Sequence, residues 1–275
     1  MPSKYQPQIL GWIGDLDKGG NYLTGADQRL LYANDNYCAF IRQVLSTKIF
    51  YIFIYTIALI LGIGIIILCL DLILNFNSNT EKIILILGIF IFIVTWFALY
   101  IVIPLLYQTL FSHRGSPIIF NRKTGKVYVN ESYFFNFKVL RNPLTFLHPN
   151  KKRIKEYDWA DLHGVVVHNY SRYSLNSTIL MVCKPNTNKT IDHIMLDPLR
   201  NGIGSYLVWG WVNNFMCAND LISLNDGKYK WEQETQFKKE IIKGQGWPEW
   251  MVEAFNATTH DELADIKQKY NVKAS

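Results

Sequence analysis

Two long apolar stretches decide the fold: residues 49–70 (IFYIFIYTIALILGIGIIILCL) and residues 83–107 (IILILGIFIFIVTWFALYIVIPLLY). Neither stretch contains a charged residue. A helix rises about 1.5 Å per residue, so each stretch covers the roughly 30 Å of hydrocarbon in a bilayer. The remaining chain is too short and too polar to bury both stretches as core helices of a soluble protein. The sequence therefore predicts a transmembrane helical hairpin over residues 49–107.

The charges beside these stretches predict how the hairpin is oriented. Arg42 and Lys48 precede the first stretch and several basic residues follow the second, whereas the connection 71–82 carries two acids and only one basic residue, Lys82. Lys and Arg near membrane ends concentrate on the cytoplasmic side. We therefore expect a multi-pass protein with both termini in the cytoplasm. The four cysteines are widely spaced without a CxxC pair, which fits a reducing compartment and disfavours a disulfide framework or a zinc site.

Small residues inside the apolar stretches indicate where the two helices could approach each other. Ala58 and Gly62 are four positions apart in the first stretch, and Gly88 lies in the second. Such residues let transmembrane helices pack closely, although they are also tolerated where a helix faces lipid. No carboxylate, His or Lys lies deep inside either stretch, and this disfavours an ion-coupled carrier.

The chain after the hairpin has the pattern of a small α+β domain, which we assign to residues 111–219. Alternating segments at 117–120 and 126–129 flank a turn with Gly125 and predict a β-hairpin. A helix is predicted over 199–218, and the further strands are predicted at 133–139, 162–168, 178–183 and 190–196. Antiparallel strands closed by one amphipathic helix suggest a pleckstrin-homology-like barrel. Residues 1–48 are assigned to an N-terminal cytoplasmic segment that packs on the C-terminal domain rather than folding alone, and the apolar positions from 27 to 45 permit a helix.

Residues 220–275 are predicted to form a helical tail. Its first helix covers 231–243, Pro248 opens a second, and Thr259 with Glu262 has the spacing of a capping box that begins a third. Trp247, Trp250 and Phe255 indicate packing onto the main domain rather than a ligand cage.

Charge is unevenly distributed in the soluble part. Residues 111–155 contain ten basic residues against one acid, Glu131, whereas residues 156–275 contain 12 basic and 15 acidic residues. A basic segment beside a bilayer is attracted to anionic lipid. Membrane lipid is thus one expected partner, and the residues predicted to face the inner leaflet are Arg122, Lys123, Lys126, Lys151, Lys152 and Arg153. The ordinary cytoplasmic excess of positive charge would explain the same distribution without lipid binding. Nucleic acid is not an expected partner, because no recognised binding motif accompanies the charge.

The search for catalytic motifs favours a protein that is not an enzyme. The histidines do not pair at helical metal spacing, and the sequence contains no GxSxG, P-loop or HExxH motif. Cys183 lies in an apolar predicted strand, where cysteine is usually inert. We therefore assign no catalytic residue, no metal ligand and no cofactor.

Three segments resemble an uncharacterised bacterial family: 118–129 (IIFNRKTGKVYV), 157–162 (YDWADL) and 208–216 (VWGWVNNFM). Members of that family pair a two-span hairpin with a cytoplasmic α+β domain and are often encoded among type VI secretion genes. The resemblance implies a bacterial inner membrane and a role as an immunity protein that binds and neutralises a cognate toxin. A membrane-tethered scaffold or an anionic-lipid-binding module is the alternative.

Overall fold

The structure is a computed structural model that describes residues 2–19, 29–42, 45–75, 82–111, 117–131, 153–169, 175–201, 207–217, 234–243 and 245–272. These residues fall into two compact units. The first is built from the chain before residue 44, residues 113–131 and the chain after residue 151, and the second contains the two long helices.

The described part of the first unit contains two antiparallel sheets and several helices. A five-stranded sheet has the order β2–β3–β4–β5–β6, and a four-stranded sheet has the order β1–β7–β8–β9. The strands are β1 (Trp12–Leu16), β2 (Leu30–Ala33), β3 (Tyr37–Ile41), β4 (Pro117–Asn121), β5 (Lys126–Asn130), β6 (Ile154–Asp158), β7 (Leu162–Asn169), β8 (Leu175–Cys183) and β9 (Thr190–Asn201). The helices are α3 (Leu207–Cys217), α4 (Glu234–Phe237, continued by a π-helical turn Lys238–Ile242), α5 (Glu249–Ala254) and α6 (His260–Lys269), with a 3₁₀ turn at Trp159–Asp161. The predicted α+β fold class is confirmed.

The five-stranded sheet is buried on both faces. Because side chains alternate along a strand, Ile118 and Phe120 of β4 point into a core that both sheets share with α3, whereas Ile119 points into a second core. Trp209 of α3 lies so close to β7 that a Cβ added at Gly164 would lie 2.9 Å from its indole ring. Helix α3 is thereby packed directly against the four-stranded sheet.

The C-terminal helices cover the other face of the five-stranded sheet. Phe255 packs there beside Ile119, and the fully buried Asn121 forms the polar link. The Asn121 Nδ2 atom donates hydrogen bonds to the backbone carbonyls of Phe255 (3.1 Å) and Ala257 (2.8 Å). Its Oδ1 atom accepts from the backbone N–H groups of Lys123 and Thr124 in the β4–β5 turn. One side chain therefore holds both the turn and the helices.

Local sequence signals were confirmed in this unit. Gly125 has a φ of +62°, the left-handed conformation that the predicted β4–β5 turn requires. Pro248 directly precedes α5, and the Thr259 Oγ1 atom accepts the Glu262 N–H (3.1 Å) at the start of α6. Trp247 is buried in the same core as Phe255, as expected from the aromatic residues of the tail.

The described residues 29–42 do not form the helix that the apolar positions from 27 to 45 permit. The structure contains β2 and β3 there, joined by a turn in which Asn34 Oδ1 accepts the N–H groups of Asn36 and Tyr37. This side-chain hydrogen bonding favours a turn over a helix. Strand β3 then pairs with β4, so that residues of the N-terminal segment share a sheet with residues that follow the hairpin.

The helix predicted over 199–218 begins only at Leu207. Strand β9 runs to Asn201, which pairs with Leu175 of β8. Pro198 does not prevent this, because β9 is an edge strand and proline is tolerated at sheet edges. The strand predicted at 133–139 lies outside the described residues.

A buried ion pair lies at the ends of β3 and β5. The Arg42 guanidinium, whose side chain is 1% exposed, contacts Glu131 Oε1 at 2.5 Å and donates to the Asn130 carbonyl at 2.6 Å. Asn130 Nδ2 in turn donates to the Gln245 carbonyl (3.1 Å). Burial lowers the pKa of Arg42, and the charge of Glu131 opposes that effect. The network fixes the sheet three residues before the first long helix begins.

The second unit contains α1 (Leu45–Leu74) and α2 (Lys82–Phe111). Both are long and apolar enough to cross a membrane, over Ile49–Leu74 and Lys82–Tyr107. Only 11% of the most apolar window of each is buried, whereas the core helix of a soluble protein is mostly buried.

The predicted packing residues of the hairpin differ in how closely the other helix approaches them. A Cβ added at Gly62 would lie 2.6 Å from Leu99 Cδ2, and one added at Gly88 would lie 2.6 Å from Leu72 Cδ2. Ala58 is half-buried. The two glycines are therefore the positions where a side chain of the other helix occupies the space of a missing Cβ.

Candidate binding groove between strand β6 and helix α6

Strand β6 is an edge of the five-stranded sheet, and its hydrogen-bond register determines which backbone groups are available. The Glu131 N–H donates to the Arg153 carbonyl (2.8 Å), and the Trp159 N–H donates to the Gly125 carbonyl (2.8 Å). Hydrogen-bonded pairs alternate along an antiparallel ladder, so the residues of β6 that bond to β5 are Lys155 and Tyr157. The N–H and C=O groups of Ile154, Glu156 and Asp158 therefore point away from β5.

Helix α6 lies beside this edge and bounds a groove, which we call the β6–α6 groove. Its volume is about 1080 Å³. It is lined by Lys126, Ile154, Lys155, Glu156, Tyr157, Asp158, Trp250, Met251, Ala264, Lys267, Gln268, Asn271 and Val272. A polypeptide edge on one side and a mixed apolar and charged wall on the other suit a macromolecular partner better than a small substrate.

The inner wall of the groove carries a four-membered charge network. Lys267 Nζ lies 2.8 Å from Glu156 Oε1, so this ion pair joins α6 to β6 across the groove. Lys126 Nζ lies 2.6 Å from Asp158 Oδ1 and 3.6 Å from Glu156 Oε1. Burial disfavours the charged form of Lys126, but the hydrogen bond that Lys126 donates to Asp158 and the charges of both acids outweigh this effect and raise the pKa of Lys126. Lys267 also lies over the Trp250 ring, 5.5 Å from its centroid.

The opposite face of β6 is fixed by Asp192 of strand β9. Lys155 forms an ion pair with Asp192, and the Tyr157 hydroxyl donates to Asp192 Oδ2 at 2.8 Å. Burial alone would raise the pKa of Asp192, yet the hydrogen bonds from Lys155 and Tyr157 lower it. Burial and the Asp192 charge raise the pKa of Tyr157, which therefore stays a hydrogen-bond donor at neutral pH. The edge strand is thus held rigidly from both sides.

The structure distributes the predicted membrane-surface residues over several environments. Lys126 lies in the groove, Arg122 lies over the Phe215 ring at 5.5 Å, and Lys123 is exposed in the β4–β5 turn. Arg153 is partly buried, and burial lowers its pKa. Lys151 and Lys152 lie outside the described residues.

The acidic half of this site was not predicted from the sequence. The segment KEYD at 155–158 places Glu156 and Asp158 on one face of a strand and Lys155 and Tyr157 on the other. That alternation was visible in the sequence, but the partners Lys126 and Lys267 were not.

Groups with catalytic potential lie elsewhere and are occupied in packing. Cys183 is buried, and burial raises the pKa of its thiol. The His163 ring stacks on Tyr5 with centroids 4.6 Å apart, and burial together with the Lys18 charge lowers the pKa of His163 to about 4. Lys18 donates to the Ala160 carbonyl (2.9 Å) and lies over the Trp159 ring, and burial lowers its pKa to about 8. Within the described ranges, no three His, Cys, Asp or Glu side chains are arranged to hold a metal ion.

Comparison with known proteins gives a family but no activity. The profile of a family of unknown function (DUF6708) matches residues 95–250, more than half of the chain. The match begins inside α2 and ends at the start of α5, so it includes one wall of the β6–α6 groove, strand β6 itself. No curated protein matches the chain, and no solved structure matches it.

Proposed function

Since the chain belongs to DUF6708, a family of unknown function, we propose from its geometry that it is a membrane-anchored, non-catalytic binding protein. The observation that carries the proposal is the β6–α6 groove, in which an open strand edge faces a charged helix. Such a site offers main-chain hydrogen bonds and ion pairs to another protein, and it contains no arrangement suited to bond cleavage.

The connectivity of the sheet supports a hairpin that crosses a membrane twice. Strands β3 and β4 are paired, with Ile41 opposite Pro117, although α1 and α2 separate them in sequence. Both ends of the hairpin therefore return to one sheet, and an even number of crossings keeps the sheet on one side of the bilayer. The basic residues that flank the hairpin favour the cytoplasmic side for this domain and for both termini.

We propose more specifically that the protein is an immunity protein that binds and neutralises a cognate type VI secretion toxin at the bacterial inner membrane. The support is the resemblance of segments 118–129, 157–162 and 208–216 to a family encoded among such genes, together with a groove fit for a protein partner. The two sheets and the helix α3 that packs on their shared core also support a pleckstrin-homology-like barrel as the finer description of the domain.

A membrane-tethered scaffold or lipid-binding module is supported by the basic segment 111–155. The pairing of Lys126 with Asp158 and Glu156 weakens that alternative, because a lysine that is already paired attracts anionic lipid less. Binding of the detergent-solubilised protein to phosphatidylserine vesicles, measured over a range of salt concentrations, separates the two functions. Strong salt-sensitive binding favours the lipid module.

Co-expression with the product of the adjacent gene tests the immunity proposal. We expect the full chain to restore growth of cells that express this effector and to co-purify with it in detergent. If the full chain neither restores growth nor co-purifies with the effector, the proposal is refuted. Reporter enzymes fused to each terminus and inserted near residue 78 test the topology, which requires the termini to report from the cytoplasm and the insertion to report from the periplasm.

A further inference from the structure

We propose that the β6–α6 groove binds an extended segment of a partner protein, which adds to β6 as a further strand and carries an acidic residue between apolar ones. This inference rests on the proposed binding function and names the kind of partner segment that the site accepts.

The backbone of β6 supplies the hydrogen bonds for such a strand. Ile154, Glu156 and Asp158 direct their N–H and C=O groups away from β5, and no other described residue bonds to them there. An added strand would lie about 4.8 Å from β6 and pair along its roughly 17 Å length. Main-chain pairing of this kind binds extended peptides with little dependence on their sequence, so specificity comes from the side chains.

The wall opposite β6 determines which side chains fit. Trp250 and Met251 line the groove with apolar surface. Lys267 of α6 contributes a positive charge to the same wall, 5.5 Å from the centre of the Trp250 ring. Alternate side chains of the added strand would point toward this wall, because side chains of a strand alternate between its two faces. Apolar residues would cover Trp250 and Met251, and the residue opposite Lys267 would meet an ammonium group.

The charge network selects an acid at that position. Glu156 Oε1 lies 2.8 Å from Lys267 Nζ and 3.6 Å from Lys126 Nζ, so Glu156 has two counter-ions, whereas Lys267 pairs with Glu156. If a partner carboxylate takes Lys267, Glu156 keeps Lys126 as its counter-ion. If a partner cation took Glu156, Lys267 would lose its acid. In the first exchange Glu156 and Asp158 share Lys126, so every charge keeps a partner, whereas in the second Lys267 keeps none.

A peptide-display selection on the detergent-solubilised full chain tests this inference. The probe is a library of random twelve-residue peptides. We expect enrichment of peptides with β-forming residues around an Asp or Glu. An enriched peptide should bind Lys267→Gln at least tenfold more weakly than the wild type, and replacing its acid should have the same effect.

A proline variant separates backbone pairing from side-chain contacts. Asp158 has a φ of −83°, near the angle that proline fixes, and its N–H points outward. Asp158→Pro removes that donor and should weaken the peptide at least tenfold. The matched variant Asp158→Asn loses the same charge but keeps the N–H, so a tenfold difference between the two variants isolates the contribution of the backbone donor.

Hydrogen exchange provides a readout that does not depend on the proline variant folding. The amides of Glu156 and Asp158 should exchange rapidly in the free protein and become protected when the enriched peptide binds. The inference is overturned if no peptide is enriched, if Asp158→Pro binds as well as Asp158→Asn, or if these amides are already protected in the free chain. Rescue from the effector by Asp158→Pro would reject the groove and leave the immunity function standing. If the enriched peptide binds but the wild-type chain does not rescue cells from the effector, the immunity function is refuted and the groove proposal stands.

Discussion

Replacing Asn121 should release the C-terminal helices from the five-stranded sheet. In Asn121→Ala, the buried carbonyls of Phe255 and Ala257 lose their donor, and two turn N–H groups lose their acceptor. A buried polar group without a partner costs about 1–3 kcal/mol, and water can reach part of the turn, so we expect a loss of about 4 kcal/mol. For a domain of this size that loss lowers the melting temperature by about 8–16 °C.

Two further variants identify which bonds are responsible. Asn121→Asp keeps the acceptor for the turn but places a carboxylate oxygen against the carbonyls of Phe255 and Ala257, so it should be at least as unstable as Asn121→Ala. Asn34→Ala is the matched control, because the Asn34 amide also accepts two turn N–H groups but donates to the Asn256 side chain (3.2 Å) instead of to buried backbone carbonyls. We expect it to cost about 1 kcal/mol, the net value of an ordinary hydrogen bond.

The assay is thermal unfolding of the full chain in detergent, followed by tryptophan fluorescence. Trp247 reports on the affected core, since its ring lies 5.3 Å from that of Phe255. Our reasoning is refuted if Asn121→Asp melts with the wild type, or if Asn121→Ala is no less stable than Asn34→Ala.

Three other predictions concern different parts of the molecule. Glu131→Ala leaves the buried guanidinium of Arg42 without its carboxylate and should cost about 3–5 kcal/mol in urea unfolding, while a cost below 1 kcal/mol would contradict the buried pair. Gly62→Val should separate the two long helices and lower the melting temperature of their circular dichroism signal at 222 nm. Gly64→Val is the control and should not lower it, because a Cβ added at Gly64 has no atom within 4 Å. Burial lowers the pKa of His163 from 6.5 to about 4. Between these two pH values the imidazole is protonated in the unfolded chain but neutral in the folded one, so the free energy of unfolding should fall as the pH drops from 6.5 to 4. In His163→Phe this acid sensitivity should be reduced, and an unchanged pH profile would refute the assignment.

The elements that the sequence predicted correctly depend on local chemistry. The two apolar helices follow from hydrophobicity sustained over a fixed length, and Gly125 and Thr259 mark a turn and a helix start because each satisfies its own neighbours. Such features involve residues within a few positions of one another. They could be predicted without knowledge of the fold.

The candidate site depends on long-range pairing and could not be predicted in the same way. The sequence shows that Glu156 and Asp158 share one face of a strand, but Lys267 reaches Glu156 from 111 positions away. The pairing of β3 with β4 is also long-range, because the whole hairpin separates the two strands in sequence. This pairing explains why two strands form where a helix was predicted. Apolar spacing in 27–45 permits a helix or strands, and only the energy of joining a sheet decides between them, because that energy comes from partners distant in the chain. The sequence by itself therefore determined a two-helix apolar hairpin and an α+β domain, while the tertiary structure alone decided which edge of the sheet is open and which charges line it.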